Sequence, residues 1–437
     1  MLRILFLLFL VISGLFTARI LYDEKLTPEA QVFFTSEPID IEKNFYIRFS
    51  GLHAPIDDPD YKSYGERTYA ENLSYIHDAR LRFIRTDKSP CPLQEKRYLN
   101  RSSDIECMDH NEVANALDKH RVMMERLDAL YQDAPSLNVN LGDRINLGYI
   151  SGQDLIALNR LFCAQWVRKT QMGDGEIALD ALLSHMHAMK HIIQGQLSLV
   201  DHLNWMISHG NHVRCIPAIL KSDPTLIRTH GDVILEMLDF DYLGLWDVEA
   251  VLQADSNFLK KDRSLRAINR FFNNENIAKN EFYETSQLIL KHSTLPAHIL
   301  LDEMSAVAKT YHCSFKTLHQ CSVNQSIFLF ALTYTFFTFP DFYRGDYNHP
   351  DIQGYADTFH SAHRQTALQR ATFLWIKAHM QQIDPANMRE YLNNASQDYY
   401  DPMHNQPFLW DEEKHGIYQI DSYPDGREHP LYMVYYQ

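Results

Sequence analysis

A chain of 437 residues with 45% hydrophobic side chains is long enough for a sizeable core, and about two domains are expected. Its mean hydropathy of −0.33 excludes a multi-span membrane protein, and its ordinary apolar content excludes a disordered one. The charge of −15, with 41 basic against 56 acidic residues and no Lys/Arg run, argues against a surface that grips phosphate backbones, so no nucleic-acid partner is expected.

The first element is an apolar block. After Met1, Leu2 and Arg3 comes the uncharged run from Ile4 to Ala18, ILFLLFLVISGLFTA, closed by Arg19 and the polar Asp23 to Lys25. A basic start followed by an apolar stretch is the pattern of a secretory signal or a membrane anchor. As a helix the run covers roughly 22 Å; extension to Tyr22, with Arg19 snorkelling, brings it to roughly 28–30 Å, near the thickness of a hydrocarbon core. Signal cleavage needs small residues at the last and third-last positions before the cut. Ala18 meets the first need but Phe16 fails the second, and cuts after Gly14 or Thr17 meet Ile12 or Leu15. The reading is an uncleaved anchor over residues 1–22 rather than a cleaved signal peptide. It implies a single pass through the inner membrane, the lipid bilayer as a partner, and a body in the periplasm.

Downstream the dominant period is helical. Val113, Leu117, His120, Met124, Leu127 and Tyr131 alternate in steps of four and three, predicting one helix from near Asp109 to just before Pro135. Ser151 is placed to cap a second, with Leu155, Leu158, Phe162 and Trp166 inward. A long stripe from Leu179 through Met186, Ile193 and Val200 to Ile207 predicts a helix from Gly175 to Ser208. Gly195 is expected to bend it, and His209-Gly210-Asn211 to stop it. Further helical periods run at Pro224 to Phe240, Leu245 to Phe272, Pro296 to Tyr311 and Gln353 to Gln382. Loops are expected at His53 to Gly65, Gln132 to Asp143 and Pro340 to Asp351. The apolar Ser326 to Phe339 is too short to span a bilayer and reads as a buried core helix. Pro407 to Trp410, Ile417 to Ile420 and Leu431 to Tyr436 are short strands, the first two joined by the polar turn DEEKHG. The expected fold is mainly α: an anchor over 1–22, an N-terminal helical region over 23–145, a bundle-like helical body over 146–395, and a small antiparallel β tail over 396–437 that must pack on the body.

Six cysteines, an even number without Cys-x-x-Cys spacing, read as structural disulfides in an exported chain. Proximity favours Cys91 with Cys107 and Cys313 with Cys321. Cys163 and Cys215 sit in apolar helical surroundings, where they either pair or stay as buried thiols.

Twenty-two histidines raise a metal hypothesis. His187 and His191 are four apart and share a helix face, a spacing that can chelate one ion, while His185 points away from them. His360 and His363 are a second pair that continues into the apolar line of Ala367, Leu374 and Ala378. The acids Asp57, Asp58 and Asp60 lack the regular ligand spacing of a calcium loop. There is no Gly-x-Ser-x-Gly, Ser-x-x-Lys, His-Glu-x-x-His, Walker or Gly-x-Gly-x-x-Gly motif, and sixteen glycines are few for phosphate-binding turns. No cofactor is expected.

Two segments carry a resemblance. NFYIRFSGLHAPIDDPDYKSYG, with Asn44, Tyr46, Gly51, Ala54, Pro55, Asp58, Pro59 and Gly65, and the tail DYYDPMHNQPFLWDEEKHGIYQI, with Asp401, Pro402, Pro407, Phe408, Gly416 and Tyr418, resemble the corresponding regions of uncharacterised exported, membrane-anchored proteobacterial proteins. The tail is also similar to the C-terminal sheet of pseudopilins, but the N-terminus lacks their Gly-Phe-x-x-x-Glu processing signature, so pilus assembly is not implied. The resemblance implies an exported, anchored, helical protein with a β tail. The functional expectation is an interaction or envelope-assembly component with protein partners. The alternative is a metal- or nucleophile-dependent envelope hydrolase built on His187, His191, His360 or His363.

Overall fold

One helix, Leu199–Ser222, is buried on nearly every side, and the neighbouring elements are arranged around it. The computed structural model describes residues 25–35, 40–70, 110–139, 152–259, 275–296, 299–300, 303–304, 306, 352–422 and 428–435. The elements are α1 Pro28–Phe33, α2 Phe45–Ser50, α3 Tyr61–Ala70, α4 His110–Lys119, α5 Arg121–Asp133, α6 Gly152–Gln171, α7 Gly175–Ile193, α8 Leu199–Ser222, α9 Thr225–Leu238, α10 Tyr242–Leu245, α11 Val248–Leu259, α12 Glu275–Ser293, α13 Ile352–Met380 and α14 Met388–Asn393, then β1 Leu409–Asp411, β2 Gly416–Ser422 and β3 Glu428–Tyr435. The described chain is mainly helical with a small three-stranded antiparallel sheet, as its periodicity predicts. Among the described residues no helix is long and apolar enough to cross a membrane; the apolar block over 1–22 lies outside them, as do Ser326 to Phe339 and Cys91, Cys107, Cys313 and Cys321.

The chain divides into two compact units: Met1–Pro38, Val248–Leu295 and Ile299–Thr358 make the smaller, and Ile39–Asp247, Pro296–His298 and Phe359–Gln437 the larger. In the smaller unit Asn280 of α12 holds the start of α1 from both sides. Its Oδ1 accepts from the Thr27 backbone N–H at 3.1 Å and its amide donates to the Lys25 carbonyl at 3.2 Å. Phe33 then packs on Tyr283 and Phe282. The Tyr355 hydroxyl donates to Asp255 of α11 at 2.6 Å.

In the larger unit α6 and α8 run parallel. Gly152 lies against Asn204, and Cys163 is bonded to Cys215 with Cα atoms 5.7 Å apart, the same offset along both helices. α7 runs back antiparallel and packs against both: His185 faces His212, while Lys190, further along α7, reaches the surroundings of the earlier His209. The stripe read from Leu179 through Met186 to Ile193 is the buried face of α7.

The long helix expected from Gly175 to Ser208 is two helices. Gly195 breaks it outright, because a Cβ there would fall on Val139, and the Gln196 N–H donates to the Val139 carbonyl at 2.7 Å instead of continuing the helix. Ser198 starts α8 as a reciprocal cap: its hydroxyl accepts from the Asp201 N–H and donates to the Asp201 carboxylate. The expected stop at His209-Gly210-Asn211 is instead the middle of α8. Gly210 serves close packing, since a Cβ there would meet the Gln365 side chain of α13.

The helix expected from Asp109 to Pro135 divides at His120, whose φ of −103° and ψ of 10° leave helical geometry. The predicted loop His53 to Gly65 gives way to α3 at Tyr61, and α12 was not marked by the periodicity. Residues behind the N-terminal resemblance hold this region together. Asn44 caps α2, accepting from the Tyr46 and Ile47 N–H groups. The guanidinium of Arg126, on α5, donates to the carbonyls of Leu52, Ala54 and Pro55 at 2.7–3.2 Å and lies over the Tyr61 ring.

The tail is a meander in the order β1-β2-β3. Trp410 pairs with Ile417 and Ile417 with Val434, a buried cross-strand row. Asp401 builds the preceding turn: its carboxylate accepts from the Met403 N–H at 2.9 Å and pairs with His404 Nδ1 at 2.5 Å.

Arg126 is 96% buried by its own side chain's neighbours, leaving 4% exposed, so Arg126→Met should strand three carbonyls and lower unfolding free energy by about 3 kcal/mol. Urea denaturation measures this. Arg121→Met, which removes only exposed ion pairs to Asp118 and Glu125, should shift stability by less than about 0.5 kcal/mol.

Candidate functional site

α8 places an unusual amount of polar chemistry inside the larger unit: His202, Ser208, His209, Asn211 and His212 are all buried. A helix interior tolerates such groups only when they are hydrogen-bonded or serve another purpose. Two centres emerge.

The first is His185 of α7 with His212. The Tyr131, Phe162 and Trp166 rings surround His185, with centroids 4.5, 4.7 and 5.1 Å away. Burial lowers its pKa against the opposing pull of Asp128, so the imidazole is neutral and donates its Nε2–H to Asp128 at 2.6 Å. His212 donates Nδ1–H to the Ser208 carbonyl at 3.1 Å. His185 Nδ1 and His212 Nε2 are thereby left as acceptors, and neither has a partner among the described residues.

The second centre lies one turn earlier on α8. His209 Nδ1 and the Tyr242 hydroxyl are 2.6 Å apart, both fully buried. Burial holds the phenol protonated and the imidazole neutral, and Lys190 adds to the latter effect. Tyr242 is itself set by Thr366 of α13, whose hydroxyl accepts the Tyr242 N–H at 3.3 Å. Arg214, one turn beyond Gly210 on α8, is half-buried beside this pair. Its guanidinium is drawn down to about 10, first by burial, then by the positive charge of Arg160 on α6, with Arg364 on α13 acting in the same direction. A neighbouring polar patch joins Asp241, Thr366 and Arg370, and Arg370 also donates to the Tyr400 carbonyl at 2.8 Å.

The residues singled out from sequence are distributed differently. His187 is exposed on α7, and His191 is half-buried with Nε2 3.1 Å from the Leu137 carbonyl oxygen. His360 is half-buried and His363 buried, both on α13; burial draws His363 down to about 4. Among the described residues no three His, Cys, Asp or Glu side chains gather as a metal site. Among the described residues no serine or cysteine side chain is hydrogen-bonded to the imidazoles of His185, His202, His209 or His212. Cys163 and Cys215 form the disulfide already described. Sequence reasoning passed over His209, Tyr242 and the three arginines. The available signal was HGNHVR flanked on both sides by apolar helical period, which marks polar residues inside a core helix once the glycine is not read as a stop.

No family model, curated protein or solved structure matches the chain.

The buried imidazoles give a signed pH dependence. Folding lowers His202 and His209 from 6.5 to about 3, chiefly by burial, so between these values the unfolded chain binds more protons than the folded one. Their contribution is complete above pH 6.5 and is lost as pH falls towards 3, on the order of 1.4 kcal/mol per pH unit for each imidazole. Asp201 and Asp401, raised by burial, oppose this over the carboxylate range. Melting temperature measured from pH 7 to 4 should fall, and His202→Gln should make the fall shallower.

Proposed function

We propose that this protein is a membrane-anchored extracytoplasmic component, held in the inner membrane by residues 1–22, whose helical body works in the periplasm as an interaction or envelope-assembly element. On this reading it belongs with the exported, anchored proteobacterial proteins that its two end segments resemble. The observation that carries the reading is the Cys163–Cys215 disulfide, buried where α6 meets α8. Disulfides persist in oxidising compartments and are rare in the cytosol. The apolar block from Ile4 to Ala18 behind a basic start supplies the matching address. A partner-binding role is supported by the lack of catalytic sequence motifs and by Met172 and Ile177, which flank the α6–α7 turn with 71% and 61% of their surfaces in water.

Non-reducing peptide mapping of protein purified from membranes should recover the Cys163 and Cys215 peptides cross-linked. Closing that loop should stabilise the fold by about 4 kcal/mol in the chain-entropy model, so reduction should lower the melting temperature. Intact-mass measurement should find Arg3 retained, and high-salt washing should leave the protein in the membrane fraction. Free alkylation of both cysteines in intact cells, or a mature N-terminus at Arg19, would overturn the compartment or the anchor respectively.

A further inference from the structure

We propose that His185 and His212 together form a two-nitrogen site for a monovalent copper ion, buried between α7 and α8. Each imidazole has one nitrogen committed and one bare. His185 Nε2 is bonded to Asp128 of α5 at 2.6 Å, and His212 Nδ1 to the Ser208 carbonyl of its own helix at 3.1 Å. The other two, His185 Nδ1 and His212 Nε2, are buried and have no hydrogen-bond partner among the described residues. They lie across their rings from those anchors, turned away from Asp128 and from the α8 backbone. An imidazole whose far nitrogen is held by a carboxylate or a backbone carbonyl has its tautomer and ring orientation fixed, which is how metal-binding histidines are supported.

The geometry selects the ion. Imidazoles bound to one ion at about 2 Å place their ring centres about 5 Å apart at a tetrahedral angle, and about 6 Å apart when the ion lies in line between them. The His185 and His212 ring centroids are 5.9 Å apart, which is the open arrangement. Zinc takes four ligands, and among the described residues no three His, Cys, Asp or Glu side chains gather to supply them. Monovalent copper is satisfied by two ligands in line, and imidazole suits copper. Charge points the same way. The pair sits among Tyr131, Phe162 and Trp166, and Asp128 behind His185 balances one positive charge in this apolar setting but not two. Burial keeps both rings neutral, the state in which an imidazole can ligate. The net charge of −15 draws cations towards the molecule at long range.

The inference is independent of the compartment proposed above, and its test is separate. Full-length protein in a neutral detergent, its free thiols alkylated, is given Cu(I) without oxygen as the bicinchoninate complex. One equivalent should pass to the protein, and its X-ray absorption should show two nitrogens at about 2 Å. Tryptophan fluorescence should fall in step. Trp166→Phe should remove most of that fall, because this indole adjoins both rings, with centroids 5.1 and 4.9 Å away. His185→Gln and His212→Gln should each weaken binding about a hundredfold or more, and Asp128→Asn, which changes only the anchor, about tenfold. His187→Gln, on the exposed side of α7, should leave it unchanged. Failure to take copper from the chelator, the result expected of a pair that only shares a water, overturns the proposal. So does a spectrum dominated by sulfur, or binding that is unchanged in both histidine variants. If neither histidine variant folds, Asp128→Asn and the wild-type spectrum decide the question.

Discussion

The larger unit depends on burying α8 along its whole length. A helix is one of the few backbone forms that can enter a protein interior, because it satisfies its own N–H and C=O groups. Trp205, Met206, Val213, Cys215, Ile216 and Ile219 leave almost no surface to water, and each of these faces demands a cover. α6 and α7 supply two of them, and α13 approaches at Gly210. The Phe45 and Phe49 rings of α2 close over Trp205, at 5.6 and 5.7 Å. Arg126 then matters at one remove: by gathering the Leu52, Ala54 and Pro55 carbonyls it fixes the turn after α2.

That burial also explains the chemistry. Polar residues on a surface helix are solvated and say little, but imidazoles in an interior are held neutral and keep bare nitrogens. His185 and Asp128 show the balance. Their short contact has the geometry of an ion pair, yet desolvation of the ring outweighs the carboxylate, and the bond is a neutral donor to a charged acceptor. The buried set is therefore built from uncharged imidazole and phenol, with Arg214 as the permanent charge at its edge.

Much of the fold was legible because burial on one face imposes a period. The stripe through Leu179, Met186 and Ile193 and the strand row around Trp410 and Ile417 were both readable from residue spacing alone. The break at Gly195 was not, because the cause is Val139, more than fifty residues upstream. α3 was hidden for a different reason: its first turn follows the Asp and Pro residues of His53 to Gly65, which read as loop, and Tyr61 is then drawn into contact with Arg126. The site was the least legible part. Arg160, Arg214 and Arg364 lie far apart in the chain and share no motif, so nothing in their spacing shows that the first and last act on the charge of the second. The His187–His191 spacing was correct helical arithmetic, but His187 lies in water and His191 turns to the Leu137 carbonyl, while buried polar side chains collect on the next helix.

The Cys163–Cys215 bond closes a covalent ring that contains the end of α6, all of α7 and most of α8. The turn between α6 and α7, Met172 to Asp174, is exposed and lies within that ring. Exposed turns are where proteases gain entry. A single cut there would therefore release nothing: both pieces would stay linked, and the nick would become visible only after reduction, as two fragments from a chain that migrates whole without it.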